Sequence, residues 1–544
     1  MPTDLNLAPV DALQEGELRT FPTPNDGSPV LLVRHEGQYL AFAAHCPHYG
    51  APLEKGKIVD GRLICPWHHA CFRVADGHLC EPPALDNLPT FELREENGRI
   101  WVTIPDNPLA SIDDANATPT AEVGGALPEE AEARHVDERT FVIVGGGAAG
   151  QYAAQTLRTE GFAGRLIVVT ADEFEPYDRT KLSKAYLAGK AKPENLPLRQ
   201  PAFYERHRIE LLTNTSVIGL DRKKQELQLA GRPNLAFDKL LLAPGSTPNS
   251  LPTLPGHELS GVLILRAQTD ANKILRMAGS ARQVVIIGAS FIGMEVASSL
   301  INAERHVTVV AHEKEPFLKV LGPEIGAMFR QLHQEKGVAF AAEAEVAELV
   351  GEKNHVTGVR LKTGQLFPAD LVVLGVGVRP ATYFLQLAFE LEKDGGLRVD
   401  EYLQAAPNIY AAGDIAHFPL AATGKSTRIE HWRLAQQHGR VAALNMLGRQ
   451  ELYNTTPFFW TQQYGKSLRY AGHAEHYDTI MYHGDVSKQD FLALYTQGDR
   501  VVAAAGMNRD ADMIFIEALF AKKQMPAAAA LKEPVDWQQL ARAK

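Results

Sequence analysis

The pattern of apolar and polar positions changes twice along the chain. Up to about residue 105, apolar residues come in short bursts, Val30 to Arg34 and Tyr39 to Ala44 among them, cut by Gly, Pro and Asp turns. Runs of that length between turn residues read as strands, so 1–105 is expected to be a small all-β domain. Residues 106–138 follow neither period and are rich in Ala, Pro, Asp and Glu, the composition of a solvated linker. Beyond it, apolar strands alternate with amphipathic helices, and a strand, glycine loop and helix occur twice, near Phe141 and near Val284. Such alternation builds parallel sheets covered by helices. Two α/β domains are predicted, one formed by 139–262 with 382–450, the other by 263–381. From 451 to 544 short alternating segments return, such as Asp490 to Tyr495 and Arg500 to Ala505, and predict a small α+β domain.

Composition narrows the classes of function. With 544 residues, 45% hydrophobic and 22% charged, the chain has material for about three or four globular domains. A formal charge of −10 with scattered Lys and Arg provides no basic surface for a nucleic acid. No apolar run reaches the roughly 18 residues of a membrane span, and the first residues lack a basic start followed by an apolar core. A cytoplasmic protein is expected. The cysteines add more: all four, Cys46, Cys65, Cys71 and Cys80, lie close together and none follows. That distribution does not suit a secreted disulfide framework and does suit a local metal site in a reducing compartment.

The metal site is read from two turns. CPH at Cys46 and CPWH at Cys65 each mix a thiol with an imidazole. A Rieske [2Fe–2S] centre needs two thiolates on one iron and two imidazoles on the other, which Cys46, His48, Cys65 and His68 supply. Zinc also accepts two Cys and two His, but zinc fingers usually open on a CxxC pair and close on a helix carrying both His. The stretches CPHYGAPLEKG and CPWHHACF closely resemble the Rieske ferredoxin family. In its high-potential subgroup each loop adds a disulfide cysteine, and a Ser and a Tyr hydrogen-bond the sulfur shell. Here those places hold Ala51 and Trp67, and Ala70 and Phe72. Hydrogen bonds to the sulfurs raise the potential, so a value near the low end, about −150 mV, is expected. His45 and His69 are read as loop residues, Cys71 and Cys80 as small packed side chains.

The two glycine loops point to dinucleotides and Rossmann-like domains. Gly145, Gly147 and Gly150 form a GxGxxG between an apolar strand and a helix, where backbone can approach a pyrophosphate at the helix N-terminus. The strand Leu166 to Thr170 then leads to Ala171 where relatives often carry the ribose-binding acid, leaving Asp172 or Glu173 for that role. In the second loop, Gly288, Ser290 and Gly293, serine takes the middle place. Its partner strand Val307 to Val310 ends in Ala311, His312, Glu313 and Lys314, which meets neither the Glu rule for NAD nor the Arg rule for NADP. NADH is expected as donor, with NADPH kept open by His312 and Lys314.

From about residue 140 onward the chain resembles the FAD-dependent pyridine-nucleotide reductases, in particular apoptosis-inducing-factor-like Rieske flavoproteins and bacterial oxygenase-type ferredoxin reductases. The motifs are PYDRTKLSK (Pro176 to Lys184), LLLAPGSTP (Leu240 to Pro248), GVGVRP (Gly375 to Pro380), NIYAAGDIA (Asn408 to Ala416), IEHW (Ile429 to Trp432) and PFFW (Pro457 to Trp460). The resemblance implies that Arg179, Lys184, Val217 and Asp414 contact FAD, with Ala149, Ala243, Gly245, Gly377, Glu430 and His431 at the cofactors. Pro244 departs from the usual Thr. The resemblance places Phe291 and Glu295 at the nicotinamide, Ile292 among the cofactor contacts, and Trp432 and Trp460 near the isoalloxazine. Cations there would neutralise pyrophosphate, a carboxylate would accept from ribityl hydroxyls, and aromatics would exclude water.

Many such reductases pass electrons to a disulfide beside the flavin, but no cysteine follows Cys80. The expected activity is therefore electron transfer from NAD(P)H through FAD to the [2Fe–2S] cluster and on to a separate redox protein, an oxygenase among the candidates. That acceptor is expected to be chosen by the surface around the cluster's histidine edge. The alternative is a redox-responsive signalling flavoprotein with slow NAD(P)H oxidation. A terminal oxygenase is not expected, because no paired His and carboxylate segment for a mononuclear iron is found. No motif sets the oligomeric state.

Overall fold

The computed structural model describes residues 3–23, 29–105 and 137–542. Most of the expected linker, 106–136, lies outside them. The N-terminal part is all β. A six-stranded antiparallel sheet runs in the order Thr3–Pro9, Arg99–Ile104, Thr90–Glu96, Gln38–Ala43, Val30–His35, Leu18–Phe21. A smaller four-stranded sheet, Lys57–Val59, Arg62–Ile64, Cys71–Arg73 and Leu79–Glu81, carries the second cysteine turn between its middle strands. Alternation explains the inner strand Thr90–Glu96, which buries Phe91 and exposes Thr90 and Glu92.

The first parallel sheet is built from two separate stretches of chain. Ile209–Leu212, Arg165–Val169, Thr140–Val144 and Lys239–Leu242 are joined at one edge by Ile409–Ala411, with Gln404–Ala406 antiparallel outside it. The second sheet, Val262–Ile264, Leu371–Leu374, Gln283–Ile287, His306–Val310 and Ala339–Ala341, is wholly parallel and takes in Val262, one residue before the expected boundary. Their central strands are unbroken apolar runs, as strands covered on both faces must be: Phe141 to Val144 and Leu371 to Leu374 are all buried. The last part is a five-stranded antiparallel sheet, Phe458–Gln463, Lys466–Gly472, Arg500–Met507, Asp490–Gln497 and Thr479–Asp485, packed on the helix Asp510–Ala521. Among the described residues no helix is long and apolar enough to cross a membrane.

Candidate cluster centre and nucleotide cavity

The two cysteine turns are built alike. The Cys46 N–H donates to the Ala51 carbonyl at 2.9 Å and the Cys65 N–H to the Ala70 carbonyl at 2.9 Å. Gly50 and His69 donate back to the Cys46 and Cys65 carbonyls, at 2.9 and 3.2 Å. Both closing residues are left-handed, Gly50 at φ +73° and His69 at φ +58°. Within this frame the Cys46 and Cys65 thiols are buried and hydrogen-bonded to each other, and the backbone N–H groups of His48, Tyr49, Trp67 and His68 point at the two sulfurs. The Nδ1 atoms of His48 and His68 meet at 3.1 Å.

The donors thus fall into a sulfur pair and a nitrogen pair. Among the described residues, no three Cys, His, Asp or Glu side chains converge on one metal position. A mononuclear zinc site needs four donors around one ion, whereas a Rieske centre needs two separate pairs. The donor set fits the second. Burial pushes the His48 imidazole down to about 4 and His68 well below its usual range, so both rings are neutral, as imidazole ligands must be. Ala70 and Phe72 are fully buried and offer the sulfurs no hydroxyl. An EPR-monitored redox titration is expected to return a midpoint near the low end of the Rieske range, about −150 mV; a clearly positive midpoint would refute this.

The neighbours are less bland than their sequence suggests. Cys71 is buried, Cys80 is half-buried, and their thiols meet across the strands Cys71–Arg73 and Leu79–Glu81. His45 is exposed, as a loop residue should be. His69, read in the same way, is completely buried, with its ring 4.2 Å from Phe458 and bonded through Nδ1 to Glu517.

The reason is that the N-terminal domain docks on the reductase. Tyr49 donates its hydroxyl to Asp178 and sits 3.2 Å from the Thr180 hydroxyl. Arg199 grips Asp86 with two bonds, at 2.9 and 2.6 Å, and Gln437 donates to Glu81 at 2.8 Å. Arg469 donates to the Trp67 carbonyl at 2.9 Å. His68 lies against Trp460, with ring centroids 4.2 Å apart, and His48 at 6.3 Å from the same indole. The histidine edge, expected as a surface for an outside partner, therefore faces the protein's own C-terminal domain. No local motif announces these contacts.

Between the two α/β domains and the C-terminal sheet lies a cavity of about 1190 Å³. It exceeds the roughly 300–1,000 Å³ of an ordinary small-molecule pocket, as a site where two dinucleotides meet should. Gly145, Gly147 and Ala149 line one end, at the start of the helix Ala148–Thr159. Ser290, Phe291, Ile292 and Glu295 line another, at the start of the helix Phe291–Leu300. Ser290 is there for a reason beyond small size: its hydroxyl accepts the Gly293 N–H at 3.2 Å and caps the helix.

Gly150, Gly288 and Gly293 depart from their expected place, because they sit behind the cavity wall rather than on it. A Cβ on Gly150 would lie 1.8 Å from the Gly145 carbonyl oxygen, and one on Gly293 would lie 2.2 Å from that of Gly288. Gly288 itself, at φ +105°, leaves 2.4 Å to the Gly375 oxygen. These glycines let helix and strand close on each other, which shapes the loop from behind.

Val217, Ala243, Gly245 and Gly377 line the cavity walls. Asp172 reaches it with its carboxylate already accepting from the Tyr177 hydroxyl at 2.7 Å and from Arg179 at 3.1 Å, while Glu173 is exposed on the same wall. Arg179 also stacks on Tyr177, 4.9 Å from the ring centre. Asp414 accepts from Ser246 at 2.6 Å and Arg266 at 3.0 Å, two partners absent from the expected set. Glu430 pairs with Arg428 at the cavity edge.

Lys184 and Glu295, assigned separately to flavin and nicotinamide sides, form one ion pair at 2.8 Å. Glu295 is 3% exposed and also accepts from Ser183 at 2.5 Å and Thr461 at 2.8 Å. Trp432, Trp460 and His431 complete the wall. The His431 Nδ1 is buried without a hydrogen-bond partner, and burial pushes the ring down to about 3, so the imidazole is neutral.

Paired thiols and imidazoles beside a cavity with two helix N-termini define a class: an NAD(P)H-dependent flavoprotein oxidoreductase with its own iron–sulfur domain. Residues 4–92 match the Rieske [2Fe–2S] domain, 139–439 the pyridine nucleotide-disulphide oxidoreductases, and 458–540 the reductase C-terminal domain. The chain belongs to the pyridine nucleotide-disulphide oxidoreductase family. It is 39% identical over 484 residues to apoptosis-inducing factor 3 of Mus musculus, covering 88% of this chain and 78% of that protein. It is 36% identical over 373 residues to putidaredoxin reductase CamA of Pseudomonas putida, covering 68% and 88%. The structure of the covalent putidaredoxin reductase–putidaredoxin complex superposes with a TM-score of 0.71 at 32% identity, over 75% of this chain and 99% of that one. The chain is thus a ferredoxin-reductase-like flavoprotein that uses FAD, NAD(P)H and a Rieske [2Fe–2S] cluster.

Proposed function

We propose that the protein carries electrons from NAD(P)H through FAD to its own cluster and then to a separate redox protein, an oxygenase among the candidates. The observation that most supports this is the contact of His68 with Trp460, because the same indole lines the nucleotide cavity. FAD held in this cavity would supply two-electron hydride chemistry with NAD(P)H, and a cluster held by Cys46, His48, Cys65 and His68 would supply one-electron transfer. The protein's part is alignment. Helix N-termini receive the pyrophosphates, the stacked Phe291 and Phe317 (centroids 4.5 Å apart) and Phe459 keep water from the reacting face, and the Lys184–Glu295 pair fixes the far wall. The docked Rieske domain occupies the place of a separate ferredoxin.

Since His48 and His68 face Trp460 in this pose, delivery to an outside acceptor is expected to follow release of the N-terminal domain from the reductase. Stopped-flow mixing with NADH or NADPH tests the relay: flavin absorbance should bleach first and the cluster second. Flavin bleaching with a permanently oxidised cluster defeats it. Turnover below about 1 s⁻¹ with every one-electron acceptor would favour the signalling reading instead.

A further inference from the structure

We infer that His69 is a positioning residue, and that with Glu517 and Arg433 it latches the second cluster loop in the pose that receives electrons from the reductase. The inference rests on the relay proposed above and deepens it.

The twin turns supply the first argument. The position that closes each turn is left-handed, and the first turn fills it with Gly50. The second fills it with His69, although a side chain there is strained and glycine costs nothing sterically. A residue held in an unfavourable backbone region calls for a compensating interaction. His69 has one, and it comes from another domain.

The second argument is the place where that interaction lands. Nδ1 of His69 bonds to one carboxylate oxygen of Glu517, on the helix Asp510–Ala521 of the C-terminal domain. The other oxygen accepts from Arg433 at 2.6 Å, on the helix Trp432–Met446 that begins at the cavity wall. Arg433 also donates to the His69 carbonyl at 3.2 Å and to the Pro82 carbonyl at 2.9 Å, so it holds the loop by its backbone as well. The His69 and Arg433 side chains are almost completely buried. Phe458 closes the node, stacked 4.2 Å from the His69 ring and 5.3 Å below the Arg433 guanidinium.

The charges are consistent with a lasting latch. Against its burial, Arg433 and His69 hold the Glu517 carboxyl down to about 2. Arg433 supplies the positive charge beside the Glu517 carboxylate that His69 meets. His69 adjoins His68 in sequence, and His68 is the ring against Trp460. Fixing His69 to Glu517 therefore fixes the approach of His68 to the indole.

The test compares His69→Gly and His69→Asn in the full-length holoprotein by stopped-flow with NADH. Glycine relieves the backbone and removes the latch; asparagine tolerates the left-handed position and can still donate to Glu517. The latch predicts that His69→Gly slows cluster reduction roughly tenfold or more, the scale of one lost bond to a charged group. Flavin bleaching should keep its rate, and His69→Asn should recover much of the loss. Cluster EPR spectra and midpoint should match the wild type in both, since neither substitution touches a ligand. A merely structural histidine predicts unchanged cluster reduction in His69→Gly whatever its thermal stability, and that result overturns the latch while leaving the relay intact. If the wild-type cluster is itself never reduced, the relay fails first.

Discussion

Lys184→Met is expected to lower stability by about 3–5 kcal/mol, the usual consequence of stripping one partner from a buried ion pair. Glu295 would keep only the Ser183 and Thr461 hydroxyls, at 3% exposure. Because the pair lies on the wall where the two nucleotide sites meet, the loss should also reach the hydride step, which depends on alignment to fractions of an ångström. Thermal unfolding of the FAD-loaded protein and stopped-flow flavin bleaching measure the two effects separately. The double variant Lys184→Met with Glu295→Leu sharpens the result. Replacing both partners by apolar groups is often close to neutral for stability, so the double variant should regain most of the unfolding midpoint. It should not regain the bleaching rate if the pair holds the nicotinamide side in place.

What was legible in the sequence was what local spacing encodes. The candidate cluster donors Cys46, His48, Cys65 and His68 stand out because both turns carry their own thiol and imidazole within a few residues, and the structure brings these side chains together as two pairs. The two parallel sheets could be read because their central strands are buried on both faces and hence uniformly apolar. The roles of Gly150, Gly288 and Gly293 could not, since a fingerprint glycine reads the same whether its missing side chain makes room for a phosphate or for a carbonyl. The docking of the N-terminal domain was invisible for a different reason. Tyr49 and Asp178, or His69 and Glu517, are joined across more than a hundred residues by chemistry any surface could carry. Only His69 left a trace, as a bulky residue at a turn position that its twin gives to glycine.

Trp460→Ala should have its largest effect on the second electron step. The indole stands between the cavity and His68, 4.2 Å from that ring and 6.3 Å from His48, and nothing else among the described aromatic contacts reaches both histidines except Tyr49. Tyr49 is turned to Asp178 and Thr180 and does not line the cavity. Truncation opens a gap of one ring width while the Arg199–Asp86 pair and the His69–Glu517 bond keep the domain docked. Misplacement of reacting groups by about 1 Å costs on the order of 10²-fold, so cluster reduction should fall by at least that much. Flavin bleaching by NADH, which depends on the wall formed by Phe291, Ile292 and Glu295, should change far less. Trp460→Phe retains a ring against His68 and should lie between. Undocking offers a rival cause for a slow cluster, and it separates cleanly: an undocked variant would show a hydrodynamically visible opening, whereas a broken contact leaves the compact form in place. Wild-type cluster reduction in a compact Trp460→Ala protein would remove the indole from the path and leave direct transfer to the histidine edge as the route.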